Sequence, residues 1–300
     1  VNPEPLNDCD IREKPFIEVR DLLALNFIKS SVPLVFRRHY RTGLRSHLFE
    51  VLQPGDVQKE TEGIRIDGQL SFPRARPIKM LRLFRARFRN LEEALEEIAR
   101  VQLIIRYLAP DHVAKSNEFL VTYNHEGVND ILLCGLQEYI AGEILDPWAP
   151  LDDQALAEIV TRASPLFPDH HKIPVAERIQ NVRNQVRFFV AHVKRMITEA
   201  AYIPDLAGIG NLILTANGQL KLVDINNISP VSPEKPIFKD EHGYPVCDKS
   251  IEALALLERE ILGTPSAEDD AFYRIFLKPA RMRVVSEMLR AFTLSPDKRM

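Results

Sequence analysis

The stretch from Asn211 to Asn227 reads NLILTANGQLKLVDINN. It carries an amide at one end of a short apolar hairpin and a carboxylate at the other. Asn217-Gly218 between apolar runs is a strong hairpin signal, because a type I′ turn needs positive φ at both central residues. With those two residues as the loop, Leu212 faces Val223 and Asn211 faces Asp224. Directly opposed side chains leave one face of a strand pair with Cβ atoms roughly 5 Å apart. An amide oxygen and a carboxylate so placed share one hard cation such as Mg²⁺, which takes one or two protein oxygens and fills its shell with phosphate and water. The plainer reading is an Asn–Asp hydrogen bond that closes the open end of the hairpin.

Other chemistry-bearing residues are scattered. Asp169, His170 and His171 in PDHHK are adjacent, and neighbouring residues do not converge on one metal, so a solvated loop is expected. Cys9, Cys134 and Cys247 share no CxxC spacing, which argues against a disulfide framework or a zinc site and fits a reducing, cytoplasmic home. The comb RARPIKMLRLFRARFR (Arg74, Arg76, Arg82, Arg85, Arg87, Arg89) alternates partly at period two. That pattern gathers charge on one strand face, either as a solvated sheet surface or for an anionic partner.

The elements that must position these residues change character along the chain. From Pro33 to Leu83 short runs rich in Val, Ile, Leu and Phe (VPLVFRRHY, HLFEVLQ, GIRIDGQLSF, PIKMLRLF) read as strands. Leu91, Ala94, Leu95, Ile98, Val101 and Ile105 then recur at helical spacing. Asn90 stands as the N-cap, Glu93 as its capping-box partner, and Pro110 as the stop. EFLVTY and ILLCGLQEYI are two more strands. Beyond Gly142 the chain turns helical, with Leu151–Arg162, Val175–Ala200 and a segment ending at Gly263. Trp148 is expected to pack beneath the connector near Glu138–Gly142.

In this order the sequence resembles the protein kinase-like fold. That family reads H-R-D-L-x-x-x-N, a strand pair, then D-F-G; this chain reads YIPDLAGIGN, LILTANGQLKLV, then DIN. The resemblance implies an α+β, bilobal architecture. Residues 1–30 would be a leader with a short helix, 31–138 a mostly β N-lobe with one helix, 139–142 a hinge, and 143–300 a reduced, mostly α C-lobe, with a cleft between the lobes. It implies ATP and Mg²⁺ as cofactors, the metal held by Asn211 and Asp224. Lys79 in PIKML would hold the α/β-phosphates and Glu97 would partner it, with Glu93 as the alternative. The backbone of Glu138 and Tyr139 would face adenine, Asp205 would orient or deprotonate a hydroxyl acceptor, and Asp248 would brace the loop around Asp205.

Departures accompany these matches. No G-x-G-x-x-G precedes Lys79; RTGLRSHLFEV offers a single glycine, Gly43, with Arg41 and Arg45 as charge in place of backbone amides. H-R-D is replaced by Ile203-Pro204-Asp205, and Asp205 lies six residues from Asn211 where the family has five. D-F-G has become Asp224-Ile225-Asn226, and no A-P-E follows. The resemblance therefore implies either a phosphotransferase of the small-molecule or atypical bacterial kind, or a pseudokinase that binds nucleotide or a protein partner.

Composition sets outer bounds. The 300 residues carry a formal charge of −3, which argues against a protein that coats nucleic acid. Yet residues 31–90 hold 13 Lys and Arg against 5 Asp and Glu, which suggests an anionic ligand or partner near the N-terminal part. The opening residues show no basic segment followed by an apolar run, and no stretch is apolar enough to span a bilayer.

Overall fold

The computed structural model describes residues 10–294 except 26–27, 29–30, 41–44, 126, 164–172, 234–235, 241–242 and 265–269. Cys9, Arg41, Gly43 and the Asp169-His170-His171 cluster lie outside the described residues. The fold is α+β, with strands concentrated in the first half and helices in the second. The chain divides into two compact units, Val1–Ala99 with Lys115–Tyr139, and Arg100–Ala114 with Ile140–Met300. Among the described residues no helix is long and apolar enough to cross a membrane.

The first unit holds α1 (Val19–Leu23), β1 (Val35–Arg38), β2 (Ser46–Leu52), α2 (Pro54–Glu62), β3 (Ile64–Ile66), β4 (Gln69–Ser71), β5 (Lys79–Phe84), the start of α3 (Leu91–Leu108), β6 (Ser116–His125) and β7 (Val128–Glu138). Five strands form an antiparallel sheet in the order β1-β2-β5-β7-β6. Period-two alternation sends Phe49 and Val51 of β2, Leu81 and Leu83 of β5, and Leu132 and Cys134 of β7 to one face. Ile11, Ile17 and Leu22 from the N-terminal segment cover that face. On the other face Arg37 lies opposite Glu50, and Arg82 and Gln137 share that face with buried Leu133 and Phe84.

Two segments differ from the sequence reading. PGDVQKETE, between two strand runs and given no element of its own, folds as α2, started by Pro54 at its first position, where a missing N–H costs nothing. GIRIDGQLSF folds back on itself as β3 and β4, because Asp67 (φ 50°) and Gly68 (φ 83°) form the two-residue turn that right-handed strand twist favours. α3 starts as expected: Asn90 Oδ1 accepts the Glu93 N–H at 2.9 Å. The reciprocal bond is displaced by one residue, from the Arg89 N–H to Glu93 Oε2 at 2.8 Å.

The second unit continues from α3 with β8 (Glu143–Ile144), α4 (Asp153–Ala163), α5 (Val175–Ala200), β9 (Tyr202–Pro204), β10 (Leu212–Leu214), β11 (Leu220–Leu222), β12 (Ile228–Pro230), α6 (Val246–Leu262), α7 (Ala271–Phe276) and α8 (Pro279–Leu294). Val182, Val186, Phe189, Val193 and Ile197 form the stripe of α5 that the i, i+3/i+4 spacing predicts. They share one core with Leu254 and Leu257 of α6, the four leucines of β10 and β11, and Val101, Ile104 and Leu108 of α3. α5 ends on Ala201 in the left-handed region (φ 58°), a conformation that disfavours a β-carbon.

Candidate functional site

The hairpin forms, but in a different register. Leu212 pairs with Leu222, Ile213 with Lys221 and Leu214 with Leu220. The turn holds three residues rather than two: the Thr215 N–H donates to Gln219 O (2.9 Å) and the Gly218 N–H to Thr215 O (2.9 Å), with Gly218 left-handed. This is the turn-plus-bulge connection, the next commonest after the two-residue loop. Asn211 therefore lies opposite Val223, whose N–H reaches Asn211 O at 2.9 Å, and the direct opposition of Asn211 and Asp224 is corrected. A slip of one residue exchanges the faces of a strand. β11 ends at Leu222, so Asp224 lies past the regular ladder.

A different residue, Asp205, gathers the site. It follows β9, and its N–H donates to Asn227 O at 2.8 Å, extending the β9–β12 ladder by one rung. Asp205 Oδ1 accepts the N–H groups of Ala207 (2.9 Å) and Gly208 (3.2 Å), and Oδ2 accepts the Asn227 amide at 2.8 Å. The Asn211 amide donates to Asp205 O at 2.9 Å. Its Oδ1 accepts no hydrogen bond from the described residues. Gly208 is required beside it, since a β-carbon there would come within 2.6 to 2.9 Å of the Asn211 carboxamide.

The loop is anchored from two further sides. The Leu206 N–H donates to Ser250 Oγ of α6 at 3.1 Å. The Trp148 indole N–H donates to Ala207 O at 3.0 Å, and Lys249 Nζ sits 3.9 Å from the centre of that ring. Asp248, expected as the brace, is engaged elsewhere: its buried carboxylate is clamped by Arg281 at 2.5 and 3.0 Å. The brace thus comes from α6 but two residues later, because one side of the helix faces the loop and Asp248 faces α8.

Asp205 is 7% exposed, and its carboxyl is pushed up to about 6. Burial is the main cause, the nearby charge of Asp224 the next, and the hydrogen bonds from Ala207, Asn227 and Gly208 act against both. A buried carboxyl whose ionisation is opposed by a neighbouring acid marks a locus where a divalent cation is favoured. A carboxylate has about four acceptor directions. Three are used by the loop, which leaves one on Oδ2. Among the described residues no group of three or more His, Cys, Asp or Glu converges, so a cation here would rest on the Asp224 carboxylate and the Asn211 amide oxygen, beside the charge of Asp205. That donor set suits Mg²⁺, which needs only one or two carboxylates.

The remaining expected residues lie in the first unit or at its end. Lys79 is the first residue of β5, paired across the sheet with Val51 and Glu138. It makes no ion pair with any described residue. Phe84, at the other end of β5, pairs with Ser46, so Lys79 and the start of β2 are separated by five residues of strand, roughly 17 Å. Glu97 and Glu93 are half-buried on α3. The Glu138 N–H is used by Lys115 O at 2.7 Å. The Tyr139 hydroxyl is pushed up by burial, with Glu50 adding to it.

The arginine comb does not form one face. β5 ends at Phe84, so of these arginines only Arg82 lies on that strand, where it donates to Gln137 at 2.7 Å. Arg87 turns to Asp10 and Glu13, and Arg89 to Glu93. Cys134 and Cys247 are buried thiols, each pushed up to about 12 by burial, which makes them inert at neutral pH. Sequence reasoning missed Asn227 and Ser250; the only signal was the doubled asparagine in DINN and the position of Ser250 two residues into the turn after Asp248.

Compared with protein-family models, and with the curated proteins, the chain matches none.

Proposed function

We propose that the chain is an atypical kinase-like protein that uses ATP and Mg²⁺ to phosphorylate a hydroxyl group. The observation that supports this most is the buried Asp205 carboxyl, pushed up to about 6 by burial and by Asp224 and framed by the amides of Asn211 and Asn227. A general base works best when it titrates close to the working pH. Asp224 and the free Oδ1 of Asn211 are the metal ligands in this reading, with Lys79 assigned to the α/β-phosphates, Glu97 to Lys79, and Glu138, Tyr139 and Gly43 to the nucleotide. Bound Mg²⁺ would neutralise phosphate charge, the largest demand of phosphoryl transfer. Asp205 would take the acceptor proton on the open side of Oδ2.

A pseudokinase is the second reading, favoured by one observation: three of the four acceptor directions of Asp205 are spent on its own loop. One experiment separates the two. Thermal stability is measured with ATP, with and without Mg²⁺, in the natural chain, Asp224→Ala and Asp205→Asn, alongside slow ATP turnover. Phosphotransfer requires an Mg²⁺-dependent shift lost in Asp224→Ala and turnover lost in Asp205→Asn. A shift without turnover selects the pseudokinase. An ATP response that ignores both Mg²⁺ and Asp224→Ala sinks the metal assignment.

A further inference from the structure

The first unit contains a small, open-mouthed pocket lined among others by Phe16, Ile17, Arg38, His47, Phe49 and Arg85. It lies on the sheet face that the N-terminal segment covers and shares no residue with the Asp205 loop.

Its charge is not balanced. Arg85 is half-buried; its Nη2 donates to Pro15 O at 2.6 Å, and its Nε is buried without an acceptor. No carboxylate lies within ion-pair distance of it among the described residues. Arg38 at the end of β1 stacks on the Phe16 ring, 4.8 Å from its centre, and meets only the exposed Glu18, at 4.0 Å. Asp21, whose charge also reaches His47, is held by Lys14 at 3.4 Å. Arg12 and Arg37 of the same unit, by contrast, are neutralised, Arg12 by Asp10 and Asp130 and Arg37 by Glu50 and Glu60. The excess field is felt by His47, whose Nε2 lies 2.9 Å from Ile11 O. Its ring is pushed down to about 4, first by burial, then by the charge of Arg85, with Arg38 adding to it.

A guanidinium withdrawn from water without a counter-charge is costly, and a ligand that supplies the charge recovers that cost. Planar N–H forks match the paired oxygens of a phosphoryl group better than a spherical halide. We propose that this pocket binds a small phosphoryl group, as free phosphate or as a phosphomonoester, between Arg38 and Arg85. The half-exposed ring of Phe16 would then offer apolar surface to the organic part of an ester.

The test is calorimetric titration of the full chain with inorganic phosphate, phosphoserine and phenyl phosphate at constant ionic strength, with chloride as control. Saturable phosphate binding is expected, weakened about tenfold or more in Arg85→Gln and in Arg38→Gln, as loss of a charge-assisted hydrogen bond implies. Bound phosphate should also raise the pKa of His47, followed by its imidazole proton resonances. Tighter binding of an ester than of phosphate identifies a phosphomonoester as the ligand; equal binding identifies free phosphate. Arg85 also holds Pro15, so Arg38→Gln, which removes only the Phe16 stack and the exposed 4.0 Å contact with Glu18, decides the matter if Arg85→Gln unfolds. Equal responses to chloride and phosphate, or phosphate binding unchanged in Arg38→Gln, overturn the proposal.

Discussion

Replacing Asp205 by Asn should stabilise the protein at neutral pH, although Asp205 makes three side-chain hydrogen bonds. The folded chain holds the Asp205 proton to about pH 6, whereas an ordinary aspartate loses it near 3.8. Between those values the folded state binds more protons than the unfolded one, so stability falls as pH rises. It is full below about pH 4, declines up to about pH 6, and stays low above that. The ionised group costs the folded state ~3 kcal/mol at the top of this window. In Asp205→Asn the Oδ1 bonds from Ala207 and Gly208 persist, and an amide flip of Asn227 restores the third. The variant should therefore match the natural protein near pH 4 and exceed it by about 1–3 kcal/mol at pH 7.5. Trp148, the single tryptophan, donates to Ala207 O, so its emission in urea reports this loop directly. If Asp224 and Asn211 hold a divalent cation beside Asp205, Mg²⁺ should narrow the gap by offsetting the Asp205 charge in the natural protein. A variant that is less stable at pH 7.5, or a gap that does not change with pH, refutes the reasoning.

Other perturbations have clear directions. Gly208→Ala drives a methyl into the Asn211 carboxamide and should cost about 1–3 kcal/mol in urea unfolding. Ala201→Gly removes the β-carbon from the left-handed end of α5 and should raise stability by about 1 kcal/mol, seen as a higher denaturation midpoint at unchanged slope. Burial works against the Glu50 charge, but hydrogen bonds from His39 and Arg37 outweigh it and hold the carboxyl below its usual value. Its contribution is thus present above about pH 4.5 and lost as pH falls through the lowered value. Glu50→Gln should destabilise at pH 7 by about 2–4 kcal/mol and by less in acid, read from melting curves at several pH values. Asp248→Asn leaves the Arg281 guanidinium short of its charge partner and should cost about 3 kcal/mol, with ATP affinity as the control for any effect on the loop.

How much of this was legible in the chain depends on the range of the interactions concerned. The stripes of α3, α5 and α6, the Asn90 cap and the Gly263 stop are local, fixed by side-chain spacing and by which residues satisfy a helix end. The strands of the five-stranded sheet showed for the same reason. α2 did not, because its nine residues carry Val57 as the one apolar side chain besides Pro54 and no stripe, so Pro54 was the only cue.

The site was legible as a neighbourhood but not as a geometry. Asn211, Asp224 and Asp205 stand out by residue type. Their arrangement follows from a turn that takes three residues instead of two, and nothing in Ala216-Asn217-Gly218 alone selects between these. Tertiary packing selects, since Gly218 lies so close to the α5 backbone that a β-carbon would sit 2.7 Å from Arg178 O. Likewise the high pKa of Asp205, the brace from Ser250 and the unbalanced charge of Arg85 arise from what distant segments bring to, or withhold from, a buried group. Residue order determined the elements and the inventory of chemical groups; only the folded chain determined which of those groups lost water, and which found a partner when they did.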